Sequence, residues 1–141
     1  MKIEKINLLC KYSMRVEDDK FIIKGDGLFS KNDAEGYLEL FQKTIKSIDS
    51  NNLILIIDNS QFRMSFPDTK LFYEKVCNAY INSNFKDKYI VMPENDIANI
   101  QIKKNANKIF NYIKVISDIT IIKLNVKYTI KHILLKKYFY H

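Results

Sequence analysis

The stretch that most constrains this chain is Leu53-Ile54-Leu55-Ile56-Ile57, followed at once by Asp58, Asn59 and Ser60. Five apolar residues without alternation do not suit a strand with one wet face. They require cover on both faces, which is the position of a central strand in a parallel sheet. Such a strand ends at the carboxyl edge of its sheet, where open α/β folds bind ligands. A polar trio there is equally what a chain needs in order to leave a sheet, because Asp and Asn bond to nearby backbone and favour turns.

The segments around that run alternate in period. Residues 3–12 (IEKINLLCKY) read as a first strand and Phe21, Ile22 and Ile23 as a second, broken by Gly25 and Gly27, so an antiparallel pair is expected. Ser30 and Asp33 have capping-box spacing, and Ala34, Tyr37, Leu38, Phe41, Ile45 and Ile48 follow as one helical stripe. Gly36 should cost that helix about 1 kcal/mol. Ser65 and Asp68 repeat the capping spacing with Pro67 in the first turn, and Leu71, Phe72, Val76, Ala79 and Tyr80 mark a second helix. Tyr89 to Met92 form a short strand stopped by Pro93. A third helix is expected from near Glu94, with Glu94 and Asp96 at its positive end and Ile102, Ala106, Ile109, Phe110 and Ile113 facing inward. ITIIKL (residues 119–124) reads as the last strand. Asn125 reads as the cap of a final helix that buries Val126, Ile130, Ile133 and Leu134. Alternation of this kind predicts an α/β fold: a mixed, mostly parallel sheet of four or five strands with helices packed against it.

A length of 141 residues, 47% of them hydrophobic, fits one domain over residues 1–141 with a real core. The net charge of +7 is unevenly spread. Residues 1–102 carry 14 basic and 15 acidic groups, net −1, whereas residues 103–141 carry nine Lys against Asp118 alone, net +8. Such asymmetry can mark a nucleic-acid or membrane surface, but a lysine-rich chain with solvated helix faces explains it as well. The tail KHILLKKYFYH mixes Lys with aromatics, yet it carries no Arg cluster, and no RNA-binding sheet signature is present, which disfavours nucleic acid. Cys10 and Cys77 lie in apolar contexts and are expected to be buried free thiols, in keeping with a cytoplasmic protein. No apolar run approaches the length of a membrane span.

Three strings, GDGLFSKNDAEGYLELF, LILIIDNSQF and FKDKYIVMPENDIANIQIKKNA, resemble STAS-like domains, the superfamily of the bacterial anti-sigma-factor antagonists, and especially their small uncharacterised bacterial relatives. They span roughly residues 25–107 in the family's order and spacing. The resemblance implies a STAS-like fold and a non-catalytic domain that binds another protein, in regulation. In the antagonists a central strand ends in Asp, and a serine in an Asp-Ser-Ser-Gly-like string at the next helix is phosphorylated. Phosphate then breaks partner binding by adding nearly two negative charges to the contact surface. Here the counterpart is DNSQFRMSFPD. Asp58 matches the strand end, but no Ser-Gly pair follows, and Ser60 and Ser65 match by position only.

The expected contact surface is therefore Asp58, Asn59, Ser60, Gln61, Arg63 and Ser65. Nucleophilic catalysis requires a base beside the nucleophile, and the only histidines, His132 and His141, have no sequence link to Ser60, Ser65 or a cysteine. The GDG at residues 25–27 lacks the spacing of a phosphate loop and reads as a strand-end turn or bulge. Glu94 and Asp96 with Asp58 are better explained as helix-start acids than as metal ligands. No catalytic residue, metal or cofactor is expected. The partner is expected to be another protein or a second copy of the chain. The alternative is a small-molecule or lipid-binding domain of related fold, holding a small apolar ligand between helix and sheet.

Overall fold

The computed structural model describes residues 1–64, 66, 67, 69–120 and 122. Among the described residues, seven strands form one sheet: β1 (Lys2–Ile6), β2 (Cys10–Glu17), β3 (Lys20–Phe29), β4 (Ile54–Asp58), β5 (Phe62–Met64), β6 (Asp87–Val91) and β7 (Lys114–Ile116). The α-helices among the described residues are α1 (Lys31–Ile45), α2 (Lys70–Asn82) and α3 (Asp96–Asn105). The strand order is β1-β2-β3-β4-β6-β7, with β5 added to the far end of β3. The β1–β2 and β2–β3 pairs are antiparallel and the remaining pairs parallel. This is the expected mixed, mostly parallel α/β architecture, with seven strands in place of four or five.

β4 sits between β3 and β6, and its central residues Leu55, Ile56 and Ile57 are fully buried. Leu55 and Ile57 join Phe21, Ile23 and Ile90 in the main core, under Tyr37, Phe41, Tyr73, Tyr80 and Ile102 of the helices. On the opposite face Ile22 and Ile56 form a second cluster with Ile122, packed by Ile54, Tyr89, Ile116 and Ile119. Both faces of the central strand are thus covered, as its continuous apolar run requires. Each such buried side chain contributes about 1.5–3 kcal/mol relative to exposure.

The extra strands come from local features that apolar periodicity does not register. Residues 3–12 are split by the turn at Asn7–Leu9 into β1 and β2. β3 is not broken by its glycines but runs through both to Phe29. Gly27 sustains this with φ +92°, and a Cβ there would stand 2.3 Å from the Leu9 carbonyl oxygen. β5 is a three-residue strand, too short to show a period. Among the described residues the last strand is Lys114–Ile116; of the strand expected at residues 119–124, Thr120 and Ile122 are helical, and residues 121, 123 and 124 lie outside the described residues.

The helices also shift at their ends. α1 carries the expected capping box: Ser30 Oγ accepts from the Asp33 N–H at 3.2 Å, and Asp33 Oδ2 accepts from the Ser30 N–H at 3.0 Å. Gly36 has a packing reason, since the Tyr12 hydroxyl lies 3.0 Å from where a Cβ would be. α2 begins at Lys70, so Pro67 precedes the helix instead of occupying its first turn. Its buried face is Phe72, Tyr73, Cys77 and Tyr80, which turns Leu71 out to 58% exposure. α3 starts at Asp96, where Asn95, not Glu94, supplies the cap by accepting the Ala98 N–H. It ends at Asn105; Ile109 reaches the core from a following 3-10 turn and Ile113 from just beyond it. The expected cap at Ser65 and Asp68 and the final helix from Asn125 lie outside the described residues.

Gly27→Ala would impose both a left-handed backbone and a clash with backbone. It should destabilise the protein by about 1–3 kcal/mol, read as a lowered urea midpoint at unchanged slope.

Candidate interaction site

The carboxyl ends of β3, β4 and β6 and the short strand β5 meet at one edge of the sheet. Asp58, the last residue of β4, is only 8% exposed. Its Oδ1 accepts the Ser60 backbone N–H at 3.1 Å and the Ser60 hydroxyl at 2.7 Å. That closes an Asx turn, the local chemistry by which aspartate ends a strand. The turn is tied to its neighbours by backbone bonds. The Asn59 N–H donates to the Val91 carbonyl at 3.1 Å, the Gly27 N–H to that of Gln61 at 2.8 Å, and the Glu94 N–H to that of Ser60 at 2.9 Å. The Gln61 side-chain amide adds a 2.8 Å bond to Glu94 Oε2.

These ties create a shallow polar cleft of ≈ 590 Å³. Of the six expected contact residues, Ser60, Gln61 and Arg63 line it, joined by Lys11, Asp26, Gly27, Glu94 and Asn95. Asp58 points inward to hold the turn, and Asn59 faces a different space, the cavity beneath the helices. Ser65 lies outside the described residues. The added members come from three other segments, so sequence proximity to Asp58 gave no access to them. In the sequence, the GDG string at residues 25–27 reads only as a strand-end turn or bulge, and Glu94 only as a helix-start acid. Asp26 brings one unspent group: its Oδ1 is buried without a hydrogen-bond partner among the described residues, while Lys24 Nζ stands 3.8 Å from Oδ2. No three His, Cys, Asp or Glu side chains among the described residues are grouped to hold a metal ion. The Ser60 hydroxyl donates its hydrogen bond to Asp58 Oδ1, and both histidines fall outside the described residues.

Under the helices lies a small apolar cavity lined by Asn59, Phe62, Phe72, Cys77, Tyr37 and Tyr80, among others, with ≈ 30 Å³ of open volume. That is room for about one water, and far below what a lipid chain needs. The Tyr37 and Tyr80 hydroxyls bond each other at 2.5 Å inside it. Burial raises the pKa of both phenols, well above the ordinary value for Tyr80. Burial also raises the Cys77 thiol and pushes Cys10 up to about 11, so both free, buried cysteines stay protonated and unreactive near neutral pH.

No protein-family model and no curated protein matches this chain. Among solved structures it is similar to an uncharacterised protein of the DUF3478 family with a SpoIIAA-like fold from Shewanella loihica PV-4. The two share 14% sequence identity, over 82% of this chain and 93% of that one, with a TM-score of 0.50. The chain therefore has a SpoIIAA-like, that is STAS-like, fold. No helix among the described residues is long and apolar enough to cross a membrane.

The tyrosine pair makes a direct test of the buried site. Tyr80→Phe leaves the Tyr37 hydroxyl bare in the core and should cost about 1–3 kcal/mol, whereas adding Tyr37→Phe should recover part of that loss. Because both folded-state pKa values lie above the unfolded value of about 10, the pair's contribution is intact below pH ~10 and is lost as pH rises beyond it. Urea titrations between about pH 8 and pH 11 should show a shallower alkaline loss in the double variant.

Proposed function

We propose that this chain is one STAS-like domain spanning residues 1–141. It works in the cytoplasm as a non-catalytic, regulatory module that binds another protein through the cleft at the carboxyl edge of the sheet. The observation that carries this is the convergence of Ser60, Gln61 and Arg63 with Lys11, Asp26 and Glu94 on one open surface. The cleft holds charges of both signs and exposed polar groups, which suits the polar contacts of a non-obligate interface. Arg63 has no ion-pair partner among the described residues and is free to meet a carboxylate. The proposal gives Asp58 a positioning role, since it shapes the cleft without facing it.

The relation to a phosphoserine switch is weaker. The Ser60 hydroxyl is committed to Asp58, and a phosphate on it would stand against that carboxylate. A ligand-binding domain remains the alternative, and the cavity between helices and sheet would then have to widen well beyond ≈ 30 Å³.

Affinity capture followed by mass spectrometry separates these readings. A reproducible partner retained by the unaltered chain should be lost with Arg63→Glu or Gln61→Ala, and kept by a Lys86→Glu control at the opposite edge. A partner set indifferent to Arg63→Glu and Gln61→Ala contradicts the assignment. A defined small mass carried through native mass spectrometry favours the ligand reading.

A further inference from the structure

The β1–β2 hairpin ends in an apolar tip. Ile6 is 72%, Leu8 95% and Leu9 65% exposed. A single exposed leucine is ordinary, but three large apolar side chains within four positions of a turn are not, because turns favour Gly, Asn and Asp. The tip is also held rigidly. The Asn7 side-chain amide donates to Asp33 Oδ1 at 2.7 Å, the Asn7 N–H to the Cys10 carbonyl at 2.8 Å, and the Leu28 N–H to the Leu9 carbonyl at 2.9 Å. These bonds fix the hairpin backbone to α1 and β3, so contact need order only its side chains. Lys5 and Lys11 flank the tip on its two strands, and neither has an ion pair among the described residues.

A groove of ≈ 510 Å³ lies between the amino-terminal halves of α1 and α2. Its apolar lining is Leu38, Phe66, Pro67, Leu71 and Phe72, with Leu71 58% exposed. The volume falls in the range of built binding clefts, roughly 300–1,000 Å³. The α1 wall carries Glu35 and Glu39, both exposed and without an ion pair among the described residues. Lys31 and Lys75 also line the groove, and Glu35 and Glu39 are its carboxylates among the described residues. The exposure of the tip shows that it does not reach the groove of its own chain.

We propose that the tip at Ile6, Leu8 and Leu9 seats in the α1–α2 groove of a second copy of this chain, with Lys5 and Lys11 against Glu35 and Glu39. A two-fold axis then produces the contact twice, each copy offering one tip and one groove. The apolar tip answers the apolar groove, and the unpaired lysines answer the unpaired glutamates. This surface meets the cleft of the proposed function only at Lys11, which lines both, so the leucine and glutamate variants test the dimer independently of that cleft.

Sedimentation velocity on the full chain tests the proposal. The unaltered protein should be a dimer at tens of micromolar, and Leu8→Ser with Leu9→Ser should leave a folded monomer with unchanged circular dichroism. Lys5→Glu with Lys11→Glu should weaken the dimer by about tenfold or more, as should Glu35→Lys with Glu39→Lys. An equimolar mixture of those two double variants should restore the dimer, because every tip then meets a groove of opposite charge. A chain that stays monomeric at about 100 μM, a dimer indifferent to the leucine changes, or a mixture that does not recover would each overturn it.

Discussion

The structure depends on the two-sided burial of β4. Leu55 and Ile57 point to the helices, Ile56 to the opposite face, and none of the three is accessible to solvent. Parallel pairing on both edges of this strand follows from that burial, since helical crossovers are what cover a parallel sheet. The site follows in turn. A strand that enters the interior must leave it, and Asp58 accomplishes this by accepting both Ser60 donors. The edge at which β4 ends is therefore shaped first by the requirements of folding, and its cleft is built from the residues which that turn displays.

The fold was largely legible in the chain because its strongest signals are long-period ones. Uninterrupted apolar residues at 53–57, the Ser30–Asp33 cap and the helical stripe through Tyr37 and Phe41 all correspond to observed elements. Failures occur where a short local device overrides the period. Gly27 keeps a strand going through a backbone conformation closed to other residues, so a signal normally read as a break became a continuation. Three-residue strands such as β5 and β7 carry no measurable alternation and depend on neighbours already in place.

The candidate site was legible only in part, for a different reason. Ser60, Gln61 and Arg63 are close in sequence and were reachable from the strand end. Lys11, Asp26 and Glu94 come from a hairpin, the end of β3 and the loop after β6. They converge through sheet order, in which β3 and β6 flank β4, and order of that kind is not encoded in any single segment. Asp58 carries the converse lesson. As the carboxylate that closes an apolar strand, it is occupied with its own turn. The carboxylate at this edge that is not spent on a turn is Asp26, whose buried Oδ1 lacks a partner among the described residues. The STAS-like fold fits this arrangement, but function belongs to the surface a fold displays and not to the fold.

Native-state hydrogen exchange followed by NMR tests most directly the claim that β4 is the strand on which the rest is assembled. Leu55, Ile56 and Ile57 amides should exchange only through global unfolding and form the most protected group in the chain, while Lys2 and Glu4 in the edge strand β1 exchange far sooner. Exchange of the β4 amides at rates comparable to those of β1, well below the global unfolding free energy, would contradict the account.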